Sequence, residues 1–174
     1  KWDRFSVGAA YSSPQWMEVM DKYDDLLPLP LDLPQTIQAG IAVDITKNVE
    51  WVLDYKWLNW SGVEQIGSEP VNGGFGWKDQ HSIKTGITWQ ARDKLALRAG
   101  ISVANSPIDD DQVFAKALCP AVVKDHVALG FTYAVTPKHD IHFSYMHAKK
   151  NAMTDNGRGG LVSLPGRRTH ISLM

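Results

Sequence analysis

Six histidines, at positions 81, 126, 139, 142, 147 and 170, are the first residues of this chain that could do chemistry, as metal ligands or as a catalytic base. Their spacing argues against both. His142 and His147 are five apart, so on a strand they point to opposite faces and cannot share an ion. A nucleophilic triad needs a serine held by a histidine and an oriented acid, and the chain has no Gly-x-Ser-x-Gly turn to present one. Asp109-Asp110-Asp111 could draw calcium, but the glycine and closing glutamate of a calcium loop are missing, so a solvated acidic loop is expected. Gly73-Gly74-Phe75-Gly76 precedes no helical pattern and is therefore no phosphate cradle. Cys119 is single, with no Cys or His at ligand spacing. The expectation is a chain that is not an enzyme, with no catalytic residue, no metal ligand and no cofactor.

Two other groups of residues suggest binding. Glu50, Asp54, Lys56, Lys84 and Arg98 fall on the polar side of alternating segments, where they would be solvated or paired across strands, or would shape a ligand path. Trp16, Met17, Met20, Leu26, Leu27, Phe75, Trp77, Phe114 and Leu118 are apolar residues in loops. Leaving them in water costs about 25 cal/mol per Å², so they must cover one another or a ligand. The candidate ligand-binding residues are accordingly Trp16, Met17, Met20, Leu27, Phe75, Trp77, Lys78, Arg98, Phe114 and Leu118.

The elements that would position these residues are strands. From Lys94 to Ala104, Leu95, Leu97, Ala99, Ile101 and Val103 share one side, and Lys94, Ala96, Arg98, Gly100, Ser102 and Ala104 share the other. Val127, Leu129, Phe131, Tyr133 and Val135 alternate with small residues in the same way, as do Val49, Trp51, Leu53, Tyr55 and Trp57 with Glu50, Asp54 and Lys56. Eight strands are predicted, near 4–12, 34–45, 49–60, 79–90, 94–105, 123–135, 140–149 and 167–174. Tight polar turns at Thr46 to Asn48, Ala91 to Asp93 and Thr136 to His139 alternate with long loops near 13–33, 61–78, 106–122 and 150–166. Pro14 to Leu27 carries Trp16, Met17, Met20, Tyr23 and Leu27 at roughly helical spacing, which predicts a short amphipathic helix.

Short turns at one end and long loops at the other are the layout of a transmembrane β-barrel, with the short turns periplasmic. A soluble barrel of the same rhythm would turn its large apolar residues inward, but the Gly, Ala, Ser and Thr of the other face could scarcely cover it. Trp51, Trp57, Trp60, Trp89, Tyr133 and Tyr145 suit interfacial girdles. The 174 residues are 44% hydrophobic with a mean hydropathy of −0.24, and no window approaches the roughly 20 apolar residues of a spanning helix. A net charge of −1 leaves no basic footprint for nucleic acid.

The segments Gly74-Phe75-Gly76-Trp77-Lys78-Asp79, Leu97-Arg98-Ala99-Gly100, Ser106-Pro107-Ile108, Asp125-His126 and Gly130-Phe131-Thr132-Tyr133 resemble, in order and spacing, the FadL/OmpP1/TodX family of outer-membrane transporters for hydrophobic compounds. Val7-Gly8-Ala9-Ala10-Tyr11-Ser12-Ser13-Pro14 and the stretch from Leu33-Pro34 to Trp60 are similar to the preceding strands of that family. The resemblance implies an all-β, antiparallel transmembrane β-barrel of fourteen strands, of which residues 1–174 would form the C-terminal portion without the N-terminal hatch. It implies passive uptake of long-chain fatty acids or other hydrophobic molecules such as hydrocarbons and aromatics, in the outer membrane of a Gram-negative bacterium. The implied partners are a hydrophobic ligand and outer-membrane lipid or lipopolysaccharide, around a monomeric barrel. Charged residues near the ligand in fatty-acid members fall at Gly73, Phe75 and Ala104 here, which favours a neutral ligand. The alternative is a complete eight-stranded structural or adhesive barrel.

Overall fold

The computed structural model of the protein describes residues 4–18, 32–69, 72, 74–108 and 124–150. Seven antiparallel strands form one sheet in sequence order: β1 (Phe5–Ser12), β2 (Thr36–Thr46), β3 (Val49–Leu58), β4 (Gln80–Arg92), β5 (Leu95–Ala104), β6 (His126–Thr136) and β7 (His139–Ala148). Every strand pairs with its neighbour in the chain, the meander that alternating short and long connections dictate. The eighth predicted strand, 167–174, lies outside the described residues.

The three short hairpins share a device. Ladder register slips by one residue just before each turn, at Ile45, Ala91 and Val135. The extra residue is a β-bulge, which raises local twist as the chain reverses. Thr46 Oγ1 accepts from Asn48 N at 3.2 Å and Thr136 Oγ1 from Lys138 N at 3.3 Å, so a threonine hydroxyl completes two of the turns. The predicted turn at Ala91 to Asp93 is displaced for the same reason: β4 runs on through its bulge to Arg92.

Register sorts the side chains into two faces. Cross-strand rows such as Val7, Ile41, Leu53, Thr85, Ile101 and Val127 are almost wholly apolar. Rows such as Ser6, Ala42, Val52, Gly86, Gly100 and Ala128 are small, and Gly8, Gly40, Asp54, Lys84, Ser102 and His126 are small or polar. The apolar face is uncovered: Val7 is 70% and Ile101 50% exposed, and Val127, Leu129, Ile141, Phe143 and Tyr145 are exposed as well. A patch of this extent in water would aggregate, whereas in hydrocarbon it is the solvent-matched surface. No described helix is long and apolar enough to cross a membrane. His142 faces Thr132 on the small-residue side and His147 faces Val127 on the apolar side, the opposition that their spacing required.

The buried core among the described residues is correspondingly small, and much of it sits where the β3–β4 connection meets the start of the β5–β6 connection. Val63 and Ile108 are each 5% exposed and Pro107 is fully buried. A 3-10 turn at Trp60–Gly62 and the single helical turn α1 (Glu64–Gly67) start this loop. Residues 75–77 then zip back against it: Phe75 N donates to Gln65 O at 2.9 Å, Gly76 N to Ser68 O at 2.7 Å and Trp77 N to Ile66 O at 2.8 Å. Gly76 turns at φ 62°, a left-handed conformation that only glycine adopts readily.

Candidate functional site

The small-residue face carries a hollow of about 580 Å³ across β3 to β7. Val52, Leu58, Gly86, Gly100, Ala104, Ala128 and Met146 give it an apolar floor, and Asp54, Lys56, Lys84 and Lys124, with His126, give it a polar margin. A second hollow of about 470 Å³ over β1 and β2 shares Val52 and Asp54 with the first, so the two join into one trough. Glycine makes the room. Gly86 faces Gly100, and a Cβ on Gly86 would stand 3.2 Å from Ala99 O and 3.5 Å from Val52 Cγ2. Any larger residue there would fill the trough. A side chain at Gly40 would collide with the Asp54 carboxylate, which leans across it.

Toward the short turns the same face becomes a hydrogen-bonded relay. Arg98 Nη1 donates to Thr132 Oγ1 at 2.6 Å, and that oxygen lies 2.9 Å from His142 Nδ1. Gly130, opposite Arg98 in the ladder, leaves space for the guanidinium to cross to β6.

The long-loop end is organised around Asp79, just before β4. Its carboxylate accepts from Trp57 Nε1 at 3.0 Å, Ser61 N at 3.1 Å and Ser61 Oγ at 2.7 Å. Burial alone would raise its pKa, but the Ser61 side chain and backbone, the Trp57 indole and the nearby His81 together hold it below the ordinary 3.8. Trp60 and Trp77 meet edge to face, centroids 5.2 Å apart at 77°. Their indole N–H groups and the buried Gln65 Oε1 have no hydrogen-bond partner among the described residues. Tyr55 Oη lies 2.7 Å from His81 Nδ1 on the apolar face below this loop.

Among the described residues, the predicted ligand residues fall in three places. Trp16 is 79% and Met17 50% exposed on the β1–β2 connection. The helix expected from Pro14 does not begin there: Gln15 and Leu33 exchange backbone hydrogen bonds of 3.1 and 2.9 Å, and Met17 N donates to Asp32 Oδ1 at 2.8 Å. Ladder pairing satisfies backbone groups that an isolated short helix would leave open. Phe75 and Trp77 are half-buried in the β3–β4 loop, where Trp77 packs on Trp60. Lys78 is exposed in that loop, its backbone N–H bonded to Pro107 O at 2.8 Å. Arg98 lies near the opposite end of the sheet, more than about 20 Å away at 3.3 Å per strand residue. Met20, Leu27, Phe114 and Leu118 lie outside the described residues, as do Leu26, Cys119, Gly73 and Asp109-Asp110-Asp111.

Of the polar-face charges, Asp54, Lys56 and Lys84 do line the hollow. Sequence reasoning passed over Val52, Leu58, Lys124, His126 and Met146. Alternation was the available signal for Met146, which shares the parity of His142 and Ser144 and faces Ala128.

A family model described as outer membrane protein transport protein (OMPP1/FadL/TodX) matches residues 3–170. The fold resembles the Pseudomonas putida toluene transporter TodX, with a TM-score of 0.60 at 18% identity over 87% of this chain and 40% of that one. A Pseudomonas aeruginosa FadL homologue gives 0.63 at 14% identity, over 92% and 45%. A TodX monoaromatic hydrocarbon channel mutant, deltaS2S3, gives 0.63 at 18%, over 87% and 42%. The chain thus spans less than half the length of these solved structures. No curated protein sequence matches it.

Proposed function

The chain belongs to the outer membrane protein transport family (OMPP1/FadL/TodX), and from that premise we propose that it forms part of the wall of a passive channel for hydrophobic small molecules. Members of this family reside in the outer membrane of Gram-negative bacteria, and the sheet is a portion of a larger β-barrel. The observation that carries the proposal is the apolar-floored hollow on the small-residue face, backed by an uncovered apolar face suited to lipid. A solute entering the hollow would bury its tail on Val52, Gly86, Gly100, Ala128 and Met146. Each buried CH₂ would contribute about 0.8 kcal/mol. No bond is made or broken in this reading, so the chain is not an enzyme in it. The proposed partners are the solute and the surrounding membrane lipid, around a monomeric barrel.

The solute class divides long-chain fatty acids from neutral hydrocarbons and aromatics. Gly73, Phe75 and Ala104 supply no charge, and Lys78 and Arg98 are too far apart to clamp one carboxylate. Lys56, Lys84 and Lys124 at the hollow's margin favour the second reading, an acid. Two measurements on the intact channel test these readings. Ala128→Trp should lower uptake of radiolabelled oleate and of toluene several-fold without loss of folded barrel, and unchanged uptake would defeat the hollow as the path. In competition binding at pH 7, an alkane should match a fatty acid of equal chain length; an advantage of more than tenfold for the acid, abolished by Lys84→Gln, would establish the acid instead. The alternative of a complete eight-stranded adhesive barrel lacks comparable support, since the structures of similar fold are more than twice as long.

A further inference from the structure

The apolar face is uneven near the short turns. Between Trp89 on β4 and Phe131 and Phe143 on β6 and β7, the smaller Leu97 and Ala99 of β5 leave a groove of about 410 Å³. Trp89 is 50% and Phe143 55% exposed, so two aromatic ridges flank it. Phe131 stacks on Phe143 at 5.5 Å, which stiffens one side.

Directly beyond this groove lie turns that each present a cation. Lys47 sits in the first, Arg92 and Lys94 flank Asp93 in the second, and Lys138 is in the third, all exposed, while the neighbouring Asp44, Glu50 and Asp140 fall in rows of the opposite, small-residue face. Arg92 pairs with Leu95, and Leu95 with Tyr133 on the apolar side, so Arg92 leaves the sheet on the same face as the groove. Gln90 Nε2 donates to Arg92 O at 2.7 Å, which fixes this turn without engaging the guanidinium.

An apolar channel that opens at fixed cations, at the turn end of a membrane sheet, has the complementary chemistry of an acyl chain joined to a phosphate. We propose that it binds one anionic glycerophospholipid of the periplasmic leaflet. The acyl chain lies over Leu97 and Ala99 between the aromatic ridges, and the phosphate meets Arg92 with Lys138 in the neighbouring turn. A neutral solute would fill the groove but leave the cations unused.

Bromine on a lipid chain quenches an indole that it touches, so the intact channel in bilayers reports on this site. The signal lost between the unaltered protein and Trp89→Phe isolates Trp89. Dibrominated phosphatidylglycerol should half-quench that signal at a lower mole fraction than dibrominated phosphatidylcholine, by about fivefold for each cation engaged and so roughly 25-fold with both Arg92 and Lys138. Arg92→Gln combined with Lys138→Gln, both in exposed turns, should bring the ratio close to one. Equal quenching in the unaltered protein, or a preference that survives the double substitution, overturns the proposal. So does relief of quenching by added alkane but not by unlabelled phosphatidylglycerol, which would give the groove to the transported solute. The proposal rests on the apolar face meeting lipid: quenching by neither lipid would defeat that reading too, whereas equal quenching by both defeats only the phospholipid site.

Discussion

Thr85 is a polar residue in the middle of the apolar face, and its two bonds explain how it is accommodated there. Its hydroxyl donates to Val52 O at 2.9 Å and accepts from Trp51 Nε1 at 2.8 Å, so one oxygen satisfies itself and an indole. Thr85→Val keeps the shape and strands the Trp51 N–H in lipid, a predicted loss of about 1–2 kcal/mol in urea titrations of the reconstituted intact barrel. Thr85→Ser should recover most of it. Asp79 makes a prediction in pH. Because its folded pKa lies below the ordinary 3.8, its contribution is fully present above that value and is lost as pH falls through 3.8 and lower. The protection of the Ser61 amide against hydrogen exchange, measured relative to the unprotected rate at each pH, should therefore fall below about pH 4, and Asp79→Asn should flatten that dependence.

Strands put adjacent residues in opposite solvents, and β6 offers a test at a single depth. Val127 is exposed on the apolar face, and Ala128 faces Gly100 and Met146 in the hollow. At this loop end of β6, Val127→Arg should cost on the order of 1 kcal/mol more than Ala128→Arg, less than the roughly 2–4 kcal/mol of the midplane; equal penalties in folding titrations would reverse the assignment of faces. That assignment was legible in the sequence because period-2 alternation is local: the parity of Leu95, Leu97, Ile101 and Val103 survives unchanged in the sheet. Strand ends were less legible, because the bulges at Ile45, Ala91 and Val135 depend on hydrogen bonds that no alternation records. The site was least legible. Loop hydrophobes such as Phe75 and Trp77 are half-buried in their own loop, Trp77 edge to face on Trp60, a packing that loop position alone does not reveal. The hollow is instead lined by residues from five strands that only register brings together.

On the scale of the whole molecule, β1 and β7 are the two edges of the described sheet, and unpaired edges cannot face lipid. In the larger barrel other strands must pair them. Cysteines at Ala9 and Tyr145, both on the apolar face, should therefore form no disulfide within one molecule of the intact protein; efficient internal oxidation would point to a small closed ring. The facing glycines Gly86 and Gly100 bear on a different property of that barrel. A new Cβ would come within 3.2 Å of Ala99 O at one and 3.3 Å of Thr85 O at the other, so even a methyl group must push on the ladder. In the channel proposed above, the width at this row is set by two missing side chains and guarded by the backbone that surrounds them. On that reading chance mutation would meet resistance where it narrows the passage and little where it alters the margin, which would let solute preference drift while solute girth stayed fixed.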